Sequence, residues 1–256
     1  MAVIHPPFPP VPDALPPGRV VDAAEGMTDA RWAGRPVLWI TADPVPDAAA
    51  LWTRLYDERA KTGLYPLLLP GLRNAEERPW LSGELGFAPV DAVDALDAAT
   101  ALDDLAWDDG DEGVVAPRAL AAPGVVTEDP DALAVEVVAI LAGGTARRVG
   151  LVPVDRGADA LAMSGWDGPC NHTNDTEKIA AVVRSWEERF GARVVQVGFD
   201  TLEVSVAAPP TTIEHARAVA AEHYIFCPDN VDQGVGSLDE YAADLVGAPC
   251  WSFWWD

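Results

Sequence analysis

The stretch DTEKIAAVVRSWEERFGARVVQVGFDTLEVSV (175–206) predicts a helix followed by two strands. Its first half places apolar residues on one face of a helix, and Gly191 ends that pattern as a helix C-terminus does. Its second half alternates apolar and polar residues, which predicts a β-hairpin over 192–210. The apolar helix face consists of Ile179, Val182, Val183, Trp186 and Phe190. An amphipathic helix next to an antiparallel hairpin is typical of an α+β domain.

Pairs of polar residues three positions apart predict where three helices begin. Each pair has the capping-box spacing, in which the first side chain caps the helix and the second reaches back to the cap. The pairs are Asn174 with Glu177, Thr211 with Glu214, and Ser237 with Glu240. We therefore expect helices to start at these positions.

The last segment of the sequence, CWSFWWD (250–256), is strongly aromatic. Trp251, Phe253 and Trp255 alternate along it, so in a strand they would share one face. Because burial of large aromatic rings is strongly favourable, this face should pack against the core. The segment therefore predicts a final Trp-rich strand in the sheet.

The first half of the chain predicts a βαβ unit. PVLWI (36–40) has the continuous apolar run of a buried strand, residues 46–63 have helical spacing, and LYPLLLP (64–70) predicts a second buried strand. A polar stretch over 71–87 predicts a long loop, and residues 91–106 predict a further helix. Taken with the C-terminal half, these segments predict an α+β protein with one mixed sheet and flanking helices.

Composition suggests three regions along the chain. Prolines crowd residues 1–18, which predicts a flexible arm without a helix. Residues 19–126 form the predicted N-terminal α/β region, and residues 127–256 form the predicted C-terminal α+β domain. An acidic turn region over 108–113 lies near the boundary between the two.

The charge of the chain restricts its partners. It has 41 acidic and 17 basic residues, which give a formal net charge of -24. Nucleic acids and anionic membranes are bound through Lys and Arg clusters, so we expect neither as a partner. A basic protein is the favoured partner on electrostatic grounds, although general solubilisation also explains the acidity.

The cysteine pattern and the hydropathy point to the cytoplasm. The 3 cysteines are odd in number and widely spaced, which fits reduced thiols better than a disulfide framework. The first residues have no secretory signal pattern, and no apolar run approaches the roughly 20 residues that span a bilayer. We therefore expect a cytoplasmic protein that does not enter a membrane.

The segment EHYIFCPDN (222–230) gathers several chemically active side chains. Cys227 and His223 are spaced as a thiol and a base on one helix face would be. However, Cys227 precedes Pro228 and should lie at a helix C-terminus, where the dipole raises the pKa of a thiol. We therefore expect a helix end followed by a Pro-Asp-Asn turn, with His223 packed in the core.

A zinc site is the weaker alternative for the same region. Two sulfurs and two imidazoles form a ligand set that suits tetrahedral zinc. Cys170, His172, His223 and Cys227 supply those groups, but their spacing matches no standard zinc motif. Without such a motif, we expect no cofactor.

Two polar loops are the candidate ligand-binding region. If the loops over 166–175 and 223–233 meet, they form a cleft with an aromatic wall and several hydrogen-bonding groups. The candidate residues are Trp166, Asn171, His172, Asp175, His223, Asp229 and Asn230. The alternative is structural: Asn174 caps a helix, while Asp229 and Asn230 shape a turn.

A glycine- and arginine-containing segment, LAGGTARR (141–148), raises the possibility of a phosphate site. It matches neither the P-loop pattern nor the dinucleotide-binding pattern. A turn before the predicted strand over 147–154 explains it adequately.

The second half of the chain resembles a known family. The ordered motifs GW-x-GP (165–169), DTEKIAAVVRSWEERFGARVV (175–195), TLEVSVAAPP (201–210) and AAEHYIFCPDN (220–230), with EYA and FWWD after them, resemble the bacterial domain of unknown function 4253. The N-terminal strand and helix look like the portion that accompanies this domain in actinobacterial members. The resemblance implies no established activity and no catalytic residues.

Two functional hypotheses remain open at this point. The first is a non-enzymatic cytoplasmic binding module, for example an immunity-type protein that neutralises a basic toxin. The second is a metal- or ligand-dependent enzyme that uses the loops over 166–175 and 223–233.

Overall fold

A computed structural model describes residues 5–108 and 119–256, and the acidic turn region predicted over 108–113 lies almost entirely outside them. Within these ranges one sheet has the strand order β1-β2-β4-β3-β5-β6-β7. Strands β3 and β5 are parallel, and the other neighbours are antiparallel, so the predicted mixed sheet is confirmed. The strands are β1 (Gly18–Asp22), β2 (Pro36–Thr41), β3 (Tyr65–Leu69), β4 (Arg148–Val152), β5 (Ala192–Val197), β6 (Thr201–Val206) and β7 (Cys250–Trp254).

Two groups of helices pack on the sheet. The helices are α1 (Ala48–Thr62), α2 (Val90–Asp94), α3 (Ala98–Asp108), α4 (Pro130–Ala142), α5 (Gly157–Met163), α6 (Thr176–Phe190), α7 (Ile213–Phe226) and α8 (Leu238–Leu245). Helices α1 and α4 contact each other, whereas α2, α3, α5, α6, α7 and α8 form a second connected group. Both groups contact β5, so they cover its two faces. The sequence predicted one helix over 91–106, whereas the structure has two helices there, α2 and α3, separated by residues 95–97.

The βαβ unit is confirmed, but a later strand divides it. Strands β2 and β3 are joined by α1 and are both antiparallel to β4, which lies between them. The sheet therefore runs across the boundary near residue 126. Strand β1, whose side chains are mostly exposed, was not predicted from the sequence. An exposed edge strand has no apolar face, so it leaves no periodic signal.

The Pro-rich segment before β1 runs along the folded chain. Residues 5–17 contain no helix or strand. Phe8 and Leu15 pack against the core, and the His5 ring nitrogen Nε2 lies 3.1 Å from the Ala33 carbonyl oxygen. The flexibility of this arm stays a prediction.

Two of the three predicted N-cap residues are wrong in the structure. Helix α6 has Asp175 at its N-cap position, with no side-chain capping bond, instead of Asn174. Helix α7 is capped by Thr212, which accepts from the His215 N–H, instead of by Thr211. Ser237 caps α8 as predicted, accepting from the Glu240 N–H at 3.3 Å. Only Thr211 has a glutamate three positions on, yet the adjacent Thr212 is the residue whose hydroxyl accepts from a backbone N–H, so sequence spacing alone misplaced the start of α7 by one residue.

The final strand is buried as predicted. The rings of Trp251, Phe253 and Trp255 have at most 1% exposure. Trp186 on α6 stacks on Phe253 at 5.3 Å and meets Trp251 edge-on at 5.6 Å between ring centroids. These contacts fix the C-terminal segment against α6. In the part of the chain that the structure describes, no helix is long and apolar enough to cross a membrane.

Candidate functional site

The two predicted polar loops do meet, but the C-terminal segment lies between them. From the first loop, the Asn171 side-chain amide donates to the Asp256 carbonyl oxygen. From the second, the Asp229 carboxylate accepts from the Asp256 N–H at 2.9 Å. His172 links the loops directly, because its Nε2 donates to the Ile225 carbonyl oxygen at 2.9 Å. These polar groups are therefore used to hold the end of the chain.

Asn230 has the same structural role. Its Oδ1 accepts from the Trp254 N–H at 3.1 Å, and its Nδ2 donates to the Ser252 carbonyl oxygen at 2.7 Å. The residue begins a π-helical turn over Asn230–Val235, where sequence analysis predicted a simple Pro-Asp-Asn turn. The Asn230 amide thus makes the backbone hydrogen bonds that a neighbouring strand would otherwise make with the outer edge of β7.

The environment of His223 and Cys227 is unsuitable for nucleophilic catalysis. Burial, assisted by the charge of Arg189, lowers the pKa of His223 to about 3. Burial raises the pKa of Cys227 to about 12, and its thiol contacts the Trp254 carbonyl oxygen at 3.0 Å. At neutral pH the imidazole and the thiol are both uncharged. Cys227 occupies the C-cap position of α7, as the sequence predicted.

The four side chains of the zinc hypothesis are engaged separately. The His223 ring lies 4.5 Å from Trp251 and 4.9 Å from Phe253 between centroids, whereas Cys170 is exposed. Among residues 5–108 and 119–256, no group of three or more His, Cys, Asp or Glu side chains is arranged to hold a metal ion. The predicted ligand set is not assembled in this structure.

A buried carboxylate that sequence analysis did not single out lies beside His223. Glu222 is fully buried and accepts from both Arg189 Nη1 and Nη2, at 2.9 and 2.7 Å. It also accepts from the Trp186 indole N–H at 2.9 Å and the Ala121 N–H at 2.6 Å. A buried carboxylate with four donors is fully compensated. The network joins α6, α7 and the segment before α4, which is a structural role.

An open cleft lies on the other side of the first loop. It has a volume of about 320 Å³ and lies between residues 165–177 and two N-terminal segments, 27–32 and 86–92. Its polar lining is mainly acidic: Asp29, Asp167, Asp175 and Glu177 contribute carboxylates, against the single guanidinium of Arg31. Aromatic side chains of Trp32, Phe87 and Trp166 complete the lining.

A close crossing of two glycines forms one wall of this acidic cleft. The Gly86 N–H donates to the Gly165 carbonyl oxygen at 2.7 Å. Gly165 has a φ of 71°, and a side chain there would collide with the Gly86 carbonyl oxygen. Trp166 follows it and is buried, with its indole N–H donating to the Gly198 carbonyl oxygen at 2.8 Å. The loop is thereby held rigidly beside the N-terminal segments.

Two of the cleft carboxylates are available to a ligand. Asp175 pairs with Lys178 at 3.0 Å, and Asp29 pairs with Arg31 at 3.4 Å. Asp167 and Glu177 have no cationic side chain within ion-pair distance among the described residues. Burial raises the pKa of Asp167, so this carboxylate is partly desolvated.

Of the residues proposed from sequence, only some line the acidic cleft. Trp166 and Asp175 do, whereas Asn171, His172, His223, Asp229 and Asn230 are not among its lining residues. Sequence analysis missed the segments over 27–32 and 86–92 because they lie far away in the chain and have no periodic pattern. Asp167 lies in the predicted loop over 166–175, and Glu177 lies two residues after it. This position was the only feature of the sequence that pointed to them as site residues.

The fold and the cleft describe an α+β protein with one mixed sheet and an acidic cleft beside the loop over 166–175 of its C-terminal half. Residues 148–256 match the model of the family described as domain of unknown function (DUF4253). The resemblance seen in the sequence motifs is confirmed. Comparisons with curated proteins and with solved structures found no match to the chain.

Proposed function

We propose that this protein is a non-enzymatic binding module that recognises a positively charged segment of a partner protein through the acidic cleft. The observation that carries the proposal is the pair of unpaired carboxylates, Asp167 and Glu177, in an open cleft. A lysine or arginine side chain entering the cleft would gain a charge-assisted hydrogen bond to each. Its positive charge would also offset the cost of desolvating the Asp167 carboxylate.

The charge of the chain supports the same partner. A formal net charge of -24 attracts a cationic protein over a long range and accelerates its association. The aromatic rings of Trp32 and Phe87 lie 5.0 Å apart between centroids at the cleft. The Arg35 guanidinium already lies over both rings, which illustrates the type of cation–π contact that a partner arginine would make nearby.

A binding role agrees better with the site than the enzyme hypothesis does. In the loop over 223–233, the histidine and cysteine that would perform acid–base or thiol chemistry are His223 and Cys227, and both are buried and uncharged at neutral pH. An immunity-type protein that neutralises a basic toxin is one protein of the proposed kind. All three cysteines are free, which supports action in the reducing cytoplasm.

The test uses a labelled cationic peptide and a pair of charge-matched variants. We expect a fluorescein-labelled arginine nonapeptide to bind the purified protein in fluorescence anisotropy at 100 mM salt, an ionic strength that screens distant charges. The Asp167→Asn, Glu177→Gln variant should weaken this binding about tenfold, which corresponds to about 1.4 kcal/mol.

The control removes two carboxylates that are exposed and lie outside the acidic cleft. Asp57→Asn with Glu136→Gln changes the net charge by the same amount. If this control weakens binding as much as the cleft variant does, the peptide senses only the overall charge and the cleft assignment is wrong. Circular dichroism of both variants checks that they are folded.

A further inference from the structure

We propose that a second cleft, which is positively charged where the first is acidic, binds a small molecule through a phosphate group. This cleft has a volume of about 450 Å³ and is lined by three arginines, Arg73, Arg147 and Arg148. Its lining contains one carboxylate, that of Glu76. A cationic cleft stands out in a chain with 41 acidic and 17 basic residues.

The arginines of this cationic cleft differ from most others in the protein. Arg59 and Arg193 pair with Asp131, and Arg189 pairs with Glu222. By contrast, no carboxylate lies within ion-pair distance of Arg73, Arg147 or Arg148 in the described parts of the chain. Since carboxylates outnumber cations, unpaired guanidinium groups gathered in one cleft indicate a site for an external anion.

Arg147 supplies a second, independent observation. Its Nε is buried and has no hydrogen-bond partner among the described residues. Leaving a buried donor without a partner is costly, and an acceptor oxygen in the cleft would remove that cost. Its backbone is fixed by two hydrogen bonds with Val45, at 2.7 and 3.2 Å, so the side chain leaves the sheet from a rigid position.

The neighbouring residues also hold the cleft in shape. Arg148 is buried, and its Nη1 donates to the Thr41 carbonyl oxygen at 3.2 Å and to the Ala42 carbonyl oxygen. Gly71 lets the loop over 71–76 fold back, because a side chain there would collide with the Glu76 backbone. This fold brings the exposed Arg73 to the rim of the cleft.

The position of the cleft in the sheet agrees with ligand binding. It lies where β2 and β3 end and β4 begins, so the carboxyl ends of two parallel-oriented strands meet there. Ligands of open α/β sheets bind outside the carboxyl ends of the strands, where the connections diverge. Here β4 separates β2 from β3 and opens the gap. The segment 141–148, which the sequence explained as a turn, thus contributes Arg147 and Arg148 to the site.

The chemistry favours a phosphate on a small molecule. Guanidinium groups match phosphate oxygens in bidentate geometry, and several of them balance a doubly charged group. The cavity volume is within the range of small-molecule sites. A nucleic acid polymer is disfavoured because the net charge of -24 would repel its backbone.

Isothermal titration calorimetry with inorganic pyrophosphate, in a chloride buffer at constant ionic strength, tests the proposal. We expect saturable binding to the 256-residue chain, weakened at least about tenfold in the double variant Arg73→Gln, Arg147→Gln. The control Arg19→Gln, Arg217→Gln removes two exposed arginines outside the cleft and should bind as the parent protein does. Glu76→Gln should bind more tightly.

Three results would overturn the proposal. They are the absence of pyrophosphate binding to the parent protein, equal weakening in the control variant, and binding of citrate without pyrophosphate. If the double variant fails to fold by circular dichroism, Arg73→Gln alone replaces it, since that side chain is exposed. Arg73→Gln should then weaken pyrophosphate binding by less than the double variant would. None of these measurements depends on the acidic cleft.

Discussion

His223 shows how strongly burial changes a polar side chain in this protein. Its Nδ1 lies 3.1 Å from the Tyr241 hydroxyl oxygen, whereas its Nε2 is buried without a partner among the described residues. The ring packs among Trp186, Trp251 and Phe253. A charged imidazolium would be poorly solvated there, so the neutral form is strongly favoured.

This burial predicts a pH-dependent stability. The pKa of His223 is lowered to about 3 in the folded protein, compared with about 6.5 in an unfolded chain. Below about pH 6.5 the unfolded chain therefore takes up a proton that the folded protein excludes, and stability falls as the pH decreases toward 3. We expect His223 to lower the free energy of unfolding by about 2 kcal/mol between pH 7 and pH 5.

Urea unfolding at both pH values measures this effect. His223→Gln should remove that part of the pH dependence, and His215→Gln, on the same helix, should retain it. An unchanged pH dependence in His223→Gln would show that the lowered pKa is wrong.

The three thiols should differ in reactivity. Burial raises the pKa of Cys227 and of Cys250 to about 12, and both are at least partly covered. Cys170 is exposed, although burial of its sulfur and the nearby Asp167 raise its pKa too. We expect Ellman's reagent at pH 8 to modify Cys170 first and the other two only after unfolding in urea. Cys170→Ser should abolish the fast phase, whereas rapid modification that persists in this variant would contradict the burial of Cys227 and Cys250.

The helix ends and the final strand depend on specific hydrogen bonds, and only some of these can be predicted from a sequence pattern. The α8 cap at Ser237 follows its predicted pair, whereas the α7 cap moves from Thr211 to Thr212. In the π-helical turn over Asn230–Val235, Asn230 accepts a hydrogen bond from the Trp254 N–H of β7, and no sequence pattern encodes that long-range contact. Local patterns predict an element well when its partners are near in sequence.

The two threonines before α7 provide a direct comparison. Thr212→Ala removes the side chain that accepts from the His215 N–H, and it should lower the free energy of unfolding by about 1 kcal/mol. Thr211→Ala, one residue earlier, should change it by less than about 0.5 kcal/mol because exposed positions away from caps contribute little. Urea unfolding of both variants measures the difference. A larger loss at Thr211 would restore the cap that the sequence predicted.

The matched family segment does not contain a complete sheet. Strand β4, its first strand, lies between β2 and β3, which both precede residue 148. The segment also lacks β3, the parallel neighbour of β5. Without these strands β4 would have no partner, and the inner edge of β5 would be exposed.

A fragment of residues 148–256 should therefore fail to fold cooperatively. We expect it to aggregate, or to unfold in urea without a sigmoidal transition, whereas the 256-residue chain should show such a transition. Co-expression with a second fragment, residues 1–147, should restore a soluble complex because it supplies both missing strands. A cooperative transition of the isolated fragment 148–256 would show that its sheet rearranges and closes by itself.

The amino-acid sequence was sufficient for features whose physical cause is local. The amphipathic face of α6, the alternating hairpin β5–β6 and the aromatic face of β7 follow from periodic burial, and the structure confirms them. The resemblance to the family whose model matches residues 148–256 also followed from long ordered motifs in that region.

Tertiary packing set everything that depends on residues far apart in the chain. The insertion of β4 into the βαβ unit places Arg147 and Arg148 in one cleft with Arg73. Near the Gly86–Gly165 crossing, Asp29 and Asp167 line a second cleft. Packing also buried His223 and Cys227, which removes the reactivity that their spacing suggests. Charge, burial and pKa depend on three-dimensional neighbours, and a linear pattern does not record those neighbours.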